Sequence, residues 1–315
     1  MKPDTSRRQS LRLLAGVGAG HWWLGPLASA ATAVPTRELR VITHPDAASG
    51  RQILQALKLR YPALVAEADP LAADARKSPV MTVSIGPVAL RRSLEAGLRS
   101  PLVSVLTSSQ TYRHLVAQDP GRERNSVTAV YAEASPLAQL QLISAIFETR
   151  VTVGVLLSEA SAYLERPLRQ AAAGVGLDLL VEHLAPSADV PRSLTRLRGA
   201  QVLLAVPDST LYTPDTLRGL LESTYRRGMP VVGFSSATVL AGTLATAYCA
   251  VDDVVADLVD LIEGHAGAAG GGPLPEPRFP QYWRVIVNES VARSLGVPMS
   301  DRVRQMGNPA TGRTR

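Results

Sequence analysis

QVLLAVPDSTLYTPDTLRGLLESTYRRGMPVVGFSSATVLAGTLATAYC, residues 201–249, is the stretch that decides the fold. Two apolar runs, 202–206 and 230–234, each stop at small polar residues. Pro207-Asp208-Ser209-Thr210 follows the first and Ser235-Ser236 the second. Continuous apolar runs of this length read as strands buried on both faces, as in a parallel sheet. Between them Thr213-Pro214 supplies an N-cap and a first-turn proline, and Arg227-Gly228 ends the intervening helix. In a parallel sheet both polar loops open at one edge, outside the carboxyl ends of the strands, where such sheets bind ligands. The stretch therefore predicts a small-molecule site along that edge.

Working outward, the same alternation fills the chain. Upstream, strands are expected at 39–43, 64–68, 80–85, 102–106, 127–131, 151–157 and 177–182. Helices are expected at 49–60, 88–98, 110–117, 135–147, 163–174 and 190–197, with Ser135 as an N-cap. Downstream, Val251, Val254, Val255, Leu258, Val259 and Ile262 share one helix face. A Gly-rich connector at 264–277, a strand at 282–287 and a helix at 290–295 capped by Gly296 complete the pattern. At 315 residues the chain is too long for one typical core. The expected class is α/β, with two doubly wound parallel-sheet lobes and a ligand cleft between them. Lobe 1 is read as 37–125 with 248–266, and lobe 2 as 126–247 with 274–300. The polar break at 119–125 is the first expected hinge, and 301–315 is expected as a disordered tail.

The net charge of +6 invites a nucleic-acid partner, but its position argues against one. Residues 1–33 carry four basic side chains against Asp4, and 301–315 carry four against Asp301, which leaves the body between them neutral. The single cysteine, Cys249, permits no intramolecular disulfide and is read as a small buried hydrophobe. Ser6-Arg7-Arg8-Gln9-Ser10-Leu11-Arg12 resembles a twin-arginine export motif. A Gly-rich apolar stretch follows it, then Ala28-Ser29-Ala30 and Ala31-Thr32-Ala33, which fit signal cleavage. Residues 1–33 are expected to be an export signal, with the mature chain in the periplasm or, as the alternative, secreted.

The candidate chemistry lies at the strand ends. Gly233-Phe234-Ser235-Ser236-Ala237 follows a strand and opens a helix as a nucleophile elbow does, yet its last glycine is replaced by Ala237. Asp252, Asp253 and His265 then sit along and just past one helix, the wrong places for hydrolase partners. No enzyme is expected. The glycine clusters lack the strand–turn–helix context of a nucleotide site, and the five histidines show no metal-ligand spacing, so no cofactor or metal is expected. What recurs is a set of polar strand ends: Thr107, Ser108 and Ser109; Ser158 and Glu159; Asp208 and Ser209; Ser235 and Ser236, with His44 at a further strand end. Backed by helix N-termini, such a ring suits an anionic group, while Asp208, Glu133 or Glu159 suits an ammonium. The combination points to a small, amino-acid-like solute. With three Phe and three Trp in the chain, two of them Trp22 and Trp23 in the signal, stacked sugar binding is less attractive.

Four segments carry a family resemblance: VTVGVLLSE at 151–159, VLLAVPDS at 202–209, PVVGFSSATVLAGTLATA at 230–247 and RVIVNESVARSLGVP at 284–298. In order and spacing they resemble the substrate-binding proteins of ABC transporters, in the type I periplasmic family that includes tryptophan- and tyrosine-binding members. The resemblance implies two hinged lobes that close on a ligand, no chemistry on it, and delivery to a membrane permease and its ATPase by a monomer. It makes Asp208 the expected contact to a ligand amine, with Phe234, Ser235 and Ser236 on the other side; here Asp208-Ser209 stands where the family has Asp-Asn. On that basis Asp208→Ala should abolish tight binding and leave the fold intact. The alternative is a periplasmic sensor or accessory subunit that reports to a membrane receptor or kinase. A repressor of this fold is rejected because no helix-turn-helix opens the chain.

Overall fold

Five short β-strands run parallel through the first lobe: β1 (Arg40–Thr43), β2 (Val65–Glu67), β3 (Thr82–Ile85), β4 (Leu102–Val105) and β5 (Val127–Ala129), in the order β2-β1-β3-β4-β5. They belong to a computed structural model that describes residues 38–44, 47–67, 80–98, 100–119, 126–186, 188–267 and 272–310. The expected export signal, most of the 119–125 break and the last residues from 311 lie outside those described. β3 and β4 are buried along their whole length, as their apolar runs require, and both faces of the sheet are covered. One face packs Leu39, Val41, Val83 and Val103 against Ile53 and Leu57 of α1 (Ala48–Arg60). The other gathers Leu90 and Leu94 of α2 (Pro87–Glu95) with Tyr112 and Leu115 of α3 (Ser109–Ala117).

The second lobe holds a seven-stranded sheet in the order β12-β11-β10-β9-β8-β6-β7. Its strands are β6 (Thr152–Leu157), β7 (Asp178–His183), β8 (Val202–Leu204), β9 (Val231–Val232), β10 (Ala245–Tyr248), β11 (Trp283–Val287) and β12 (Gly307–Asn308), and α5 (Glu165–Gly174), α6 (Val190–Ser193) and α10 (Glu289–Ser294) are among its helices. α4 (Pro136–Phe147) opens on Ser135, whose side chain accepts from the Ala138 amide. α7 (Pro214–Arg226) opens on a reciprocal Thr213–Thr216 capping box, so both expected N-caps are in place. Gly154 sits where a Cβ would come within 2.9 Å of the Ala200 Cβ and 3.1 Å of Leu197 Cδ1. Its missing side chain lets the turn before β8 close onto β6.

Two expectations need correcting and one, the parallel sheet of lobe 2, needs refining. β5 pairs with β4, so the first crossing lies after Val130 and not at 125. There Val130 pairs with Arg278 as an isolated parallel bridge, and Glu133 pairs with Tyr248 antiparallel. The lobe-2 sheet is not wholly parallel. β11 returns from lobe 1 and lies antiparallel to β10, and β12 lies antiparallel to β11. Finally, the described part of the expected tail is folded. α11 (Asp301–Arg304) buries Val303, and the Ala310 amide donates to Asp253 Oδ1 at 2.9 Å. A four-residue helix and a two-residue strand are too short to leave a periodic signal in sequence.

The hinge itself is charged. α9 (Val251–Gly267) packs its apolar face on α1 in lobe 1, yet carries Asp253 and Asp257, both fully buried. Asp253 takes a two-pronged contact from Arg284 of β11, at 2.7 and 3.1 Å, and the Ala250 amide at 3.1 Å. Asp257 takes Arg278 at 2.8 Å and the amides of Gln281 and Tyr282. Buried carboxylates persist only when so paired. Among the described residues no helix is long and apolar enough to cross a membrane.

Candidate functional site

The carboxyl ends of β4 and β5 in lobe 1 face those of β6, β8 and β9 in lobe 2, and a cleft of about 350 Å³ lies between them. Leu106, Ser108, Gln110, Thr111, Ala132 and Glu133 line it from the first lobe. Pro207, Asp208, Ser209, Tyr212, Phe234 and Ser235 line it from the second. Its volume falls in the ordinary range for small-molecule sites.

Asp208 is buried, and every acceptor position of its carboxylate is used. Oδ2 accepts from the hydroxyls of Ser158 at 2.5 Å and Ser161 at 2.6 Å. Oδ1 accepts from the Thr210 amide and hydroxyl, the Leu211 amide and, from the opposite lobe, Gln110 Nε2 at 3.4 Å. Burial pushes its pKa up, but the bonds from Ser158, Ser161 and Thr210 outweigh that and hold it below the usual range. The residue expected to meet a ligand amine thus organises its own loop.

Glu133 is equally buried and sits at the N-terminus of α3. The Ser109 amide donates to both its oxygens, at 3.0 and 3.2 Å, and the Ser109 hydroxyl bonds Oε1. Burial raises its pKa against the pull of those bonds. Ser108 caps α3 through the Thr111 amide. Ser235 forms a capping box with Thr238 at the start of α8 (Ser236–Leu240). This explains the glycine of Gly233-Phe234-Ser235: a Cβ there would lie 2.0 Å from Thr238 Oγ1. The elbow-like sequence is a packing constraint and carries no nucleophile.

The two lobes touch across the cleft. Besides reaching Asp208, Gln110 accepts from the Ser209 amide at 3.2 Å and hydroxyl at 3.3 Å. The Ser109 and Tyr163 hydroxyls lie 2.6 Å apart, and Arg113 stacks 4.4 Å over the Tyr163 ring. Tyr212 packs 5.9 Å from Phe234, centroid to centroid, and its hydroxyl is buried without a hydrogen-bond partner. Burial, then the Asp208 charge, raises its pKa.

Of the sequence candidates, Ser108, Glu133, Asp208, Ser209, Phe234 and Ser235 line the cleft; Ser109 and Ser158 stand behind it as partners of the two carboxylates. Thr107 is buried and accepts from Ser104 at 3.1 Å. His44, Glu159 and Ser236 are exposed and outside the lining. Gln110 and Tyr212 are the residues that sequence reasoning missed. Each follows a quoted polar strand end by one to four positions, and an aromatic beside Asp208-Ser209 is the signal that could have revealed Tyr212. Cys249 packs against the lobe-1 core, and burial pushes its thiol pKa up, which makes it unreactive. Among the described residues no cluster of His, Cys, Asp or Glu could hold a metal ion.

Two hinged α/β lobes with a cleft at their facing strand ends define the type I periplasmic-binding fold. Solved structures of similar fold agree. A substrate-binding protein with adhesive properties from Clostridium difficile, in a ligand-free, open structure, is 14% identical with a TM-score of 0.62 over 85% of this chain and 98% of that one. A conserved domain protein from Vibrio cholerae is 21% identical with a TM-score of 0.56 over 86% and 99%. An ABC domain from Streptococcus pneumoniae in complex with L-Trp is 16% identical with a TM-score of 0.55 over 85% and 97%. No family model and no curated protein matches the sequence. At these identities the likeness is one of fold.

Proposed function

We propose that the chain is the solute-binding component of an ABC transporter, working in the periplasm, and that it captures a small amine-bearing solute by lobe closure. The observation that carries this reading is the bridged cleft. Gln110 of lobe 1 bonds Asp208 and Ser209 of lobe 2 while a cavity of about 350 Å³ remains beside it. A solute seated there touches both lobes at once, so it binds the closed arrangement better than the open one and shifts the population toward it. The cleft presents no activated nucleophile, and its two carboxylates are committed to backbone and hydroxyl donors, so the solute is held and passed on unchanged. Delivery to a permease and its ATPase follows from the transporter reading.

The test is mass spectrometry of solute released from the purified chain, followed by calorimetric titration of whatever is found. A solute that binds wild type and loses at least tenfold in affinity in Phe234→Ala supports the reading. A purified chain that releases nothing and binds no member of a broad solute panel overturns it.

A further inference from the structure

The cleft offers hydrogen-bonding groups of uneven kind, and what is already taken says as much as what is open. The first turn of α3 points backbone amides toward the cleft, the usual seat for a ligand carboxylate. Here the Ser109 amide is held by Glu133, at 3.0 and 3.2 Å, so the chain fills that seat with its own anion. At the start of α8 the Ser235–Thr238 capping box takes up the amides of those two residues. On the β8 loop, the Thr210 and Leu211 amides are turned onto Asp208. Among the described residues no Lys or Arg lines the cleft; Arg113 is engaged with the Tyr163 ring and is not part of the lining.

Negative groups, by contrast, line it from both sides. Glu133 lines it from lobe 1 and Asp208 from lobe 2; both are buried, and Asp208 contributes charge alone because its acceptor positions are filled. Phe234 and Tyr212 line the same cavity, and aromatic π-faces favour cations. Tyr212 is only 8% exposed and its hydroxyl is buried away from the cavity, so this residue adds ring surface to the wall and no hydrogen-bonding group.

We propose that the solute is an organic cation, an amine, guanidine or quaternary ammonium on an apolar body, and that it carries no carboxylate or other anionic group. Resting on the solute-binding reading above, this revises the amino-acid-like solute expected from the sequence. The ammonium half of a zwitterion finds Glu133 and the aromatic rings. The carboxylate half finds two buried anions, and the Ser109, Ser209, Thr210 and Leu211 amides near them are already bonded within the chain. An anion in a low-dielectric cleft without a positive partner is strongly disfavoured.

The test uses matched pairs that differ by a carboxylate: tryptamine with L-tryptophan, agmatine with L-arginine, and choline with glycine betaine, plus tryptophol as a neutral control. Calorimetric titration of the full chain is expected to show at least one carboxylate-free cation binding tenfold or more tighter than its carboxylated partner. Glu133→Gln, close to isosteric, should then weaken that cation tenfold or more, with circular dichroism and melting checked against wild type. Should Glu133→Gln fail to fold, the wild-type pairs still decide the matter. A carboxylated member that binds as tightly as its partner, or tryptophol binding as tightly as tryptamine, overturns the cation assignment while leaving solute binding intact. If no pair binds, the solute released from the purified chain decides. A cation without an acidic group supports the proposal, an acid or a neutral molecule overturns it, and no solute at all overturns both this assignment and the solute-binding reading.

Discussion

Asp208 shows how far a side chain's role depends on its neighbours. As a strand-end carboxylate it reads as a ligand contact, whereas its six hydrogen bonds make it the keystone of the 207–211 loop. Removing it leaves the buried Ser158 hydroxyl without its acceptor, reduces Ser161 and Leu211 to longer bonds with the Ser158 and Asp208 carbonyls at 3.4 and 3.3 Å, and turns the exposed Thr210 to solvent. The orphaned donor costs about 1–3 kcal/mol, and the weakened bonds add to it. Asp208→Ala is therefore expected to lower stability by about 2–4 kcal/mol as well as to weaken solute binding. Urea denaturation checks this. An unchanged midpoint with binding lost would return Asp208 to the role of direct ligand contact and remove it from the loop's framework.

At the scale of elements, the hinge rests on α9, whose two buried aspartates tie lobe 1 to β11 and to the C-terminal segment. Burial alone raises the Asp253 pKa, but Arg284 and the amides of Ala310 and Ala250 outweigh it and hold the carboxyl below its usual range. A depressed carboxyl contributes stability at pH values above its unfolded pKa of about 3.9 and loses it as pH falls through the folded value. Asp253→Asn should thus be less stable than wild type at pH 6, by about 1–3 kcal/mol, with the difference fading below about pH 4. Denaturant titrations at several pH values test this, and a pH-independent difference would mean that the asparagine acts through packing. Asp257 behaves oppositely. Burial, only partly offset by the Tyr282 amide and Arg278, raises its pKa, so its contribution is greatest at low pH and is lost as pH rises through the folded value.

For the molecule as a whole, closure depends on how much the lobes gain from each other without help. Gln110 supplies three bonds across the cleft, each worth about 0.5–1.5 kcal/mol net. Gln110→Ala should shift the lobes toward an open arrangement, seen as a larger radius of gyration by small-angle scattering, while the separate cores of the lobes keep the melting behaviour close to wild type. An unchanged radius would mean that the Ser109–Tyr163 contact and the Arg113 stack hold the lobes alone. Most of this architecture is legible locally. The apolar runs at 151–157, 202–206 and 230–234, the caps at Ser135 and Thr213, and the single apolar face of α9 each announce themselves within a dozen residues. The Ser109–Glu133 and Gln110–Asp208 bonds do not, because their partners lie 24 and 98 positions apart.

Returning to 201–249, the sequence by itself determined the alternation of strand and helix, the polar strand ends and hence the edge at which a solute can sit. Periodicity and capping are short-range properties, readable wherever hydrophobic spacing and side-chain chemistry agree. Only the tertiary structure decided what those polar groups are free to do. It committed Asp208 and the Ser109 amide to partners within the chain, turned β11 and β12 antiparallel, folded the segment after Asp301 onto the hinge, and brought Gln110 and Tyr212 into the cleft. A carboxylate or an amide has few bonding positions. Which of them remain open is set by neighbours that only long-range packing brings together.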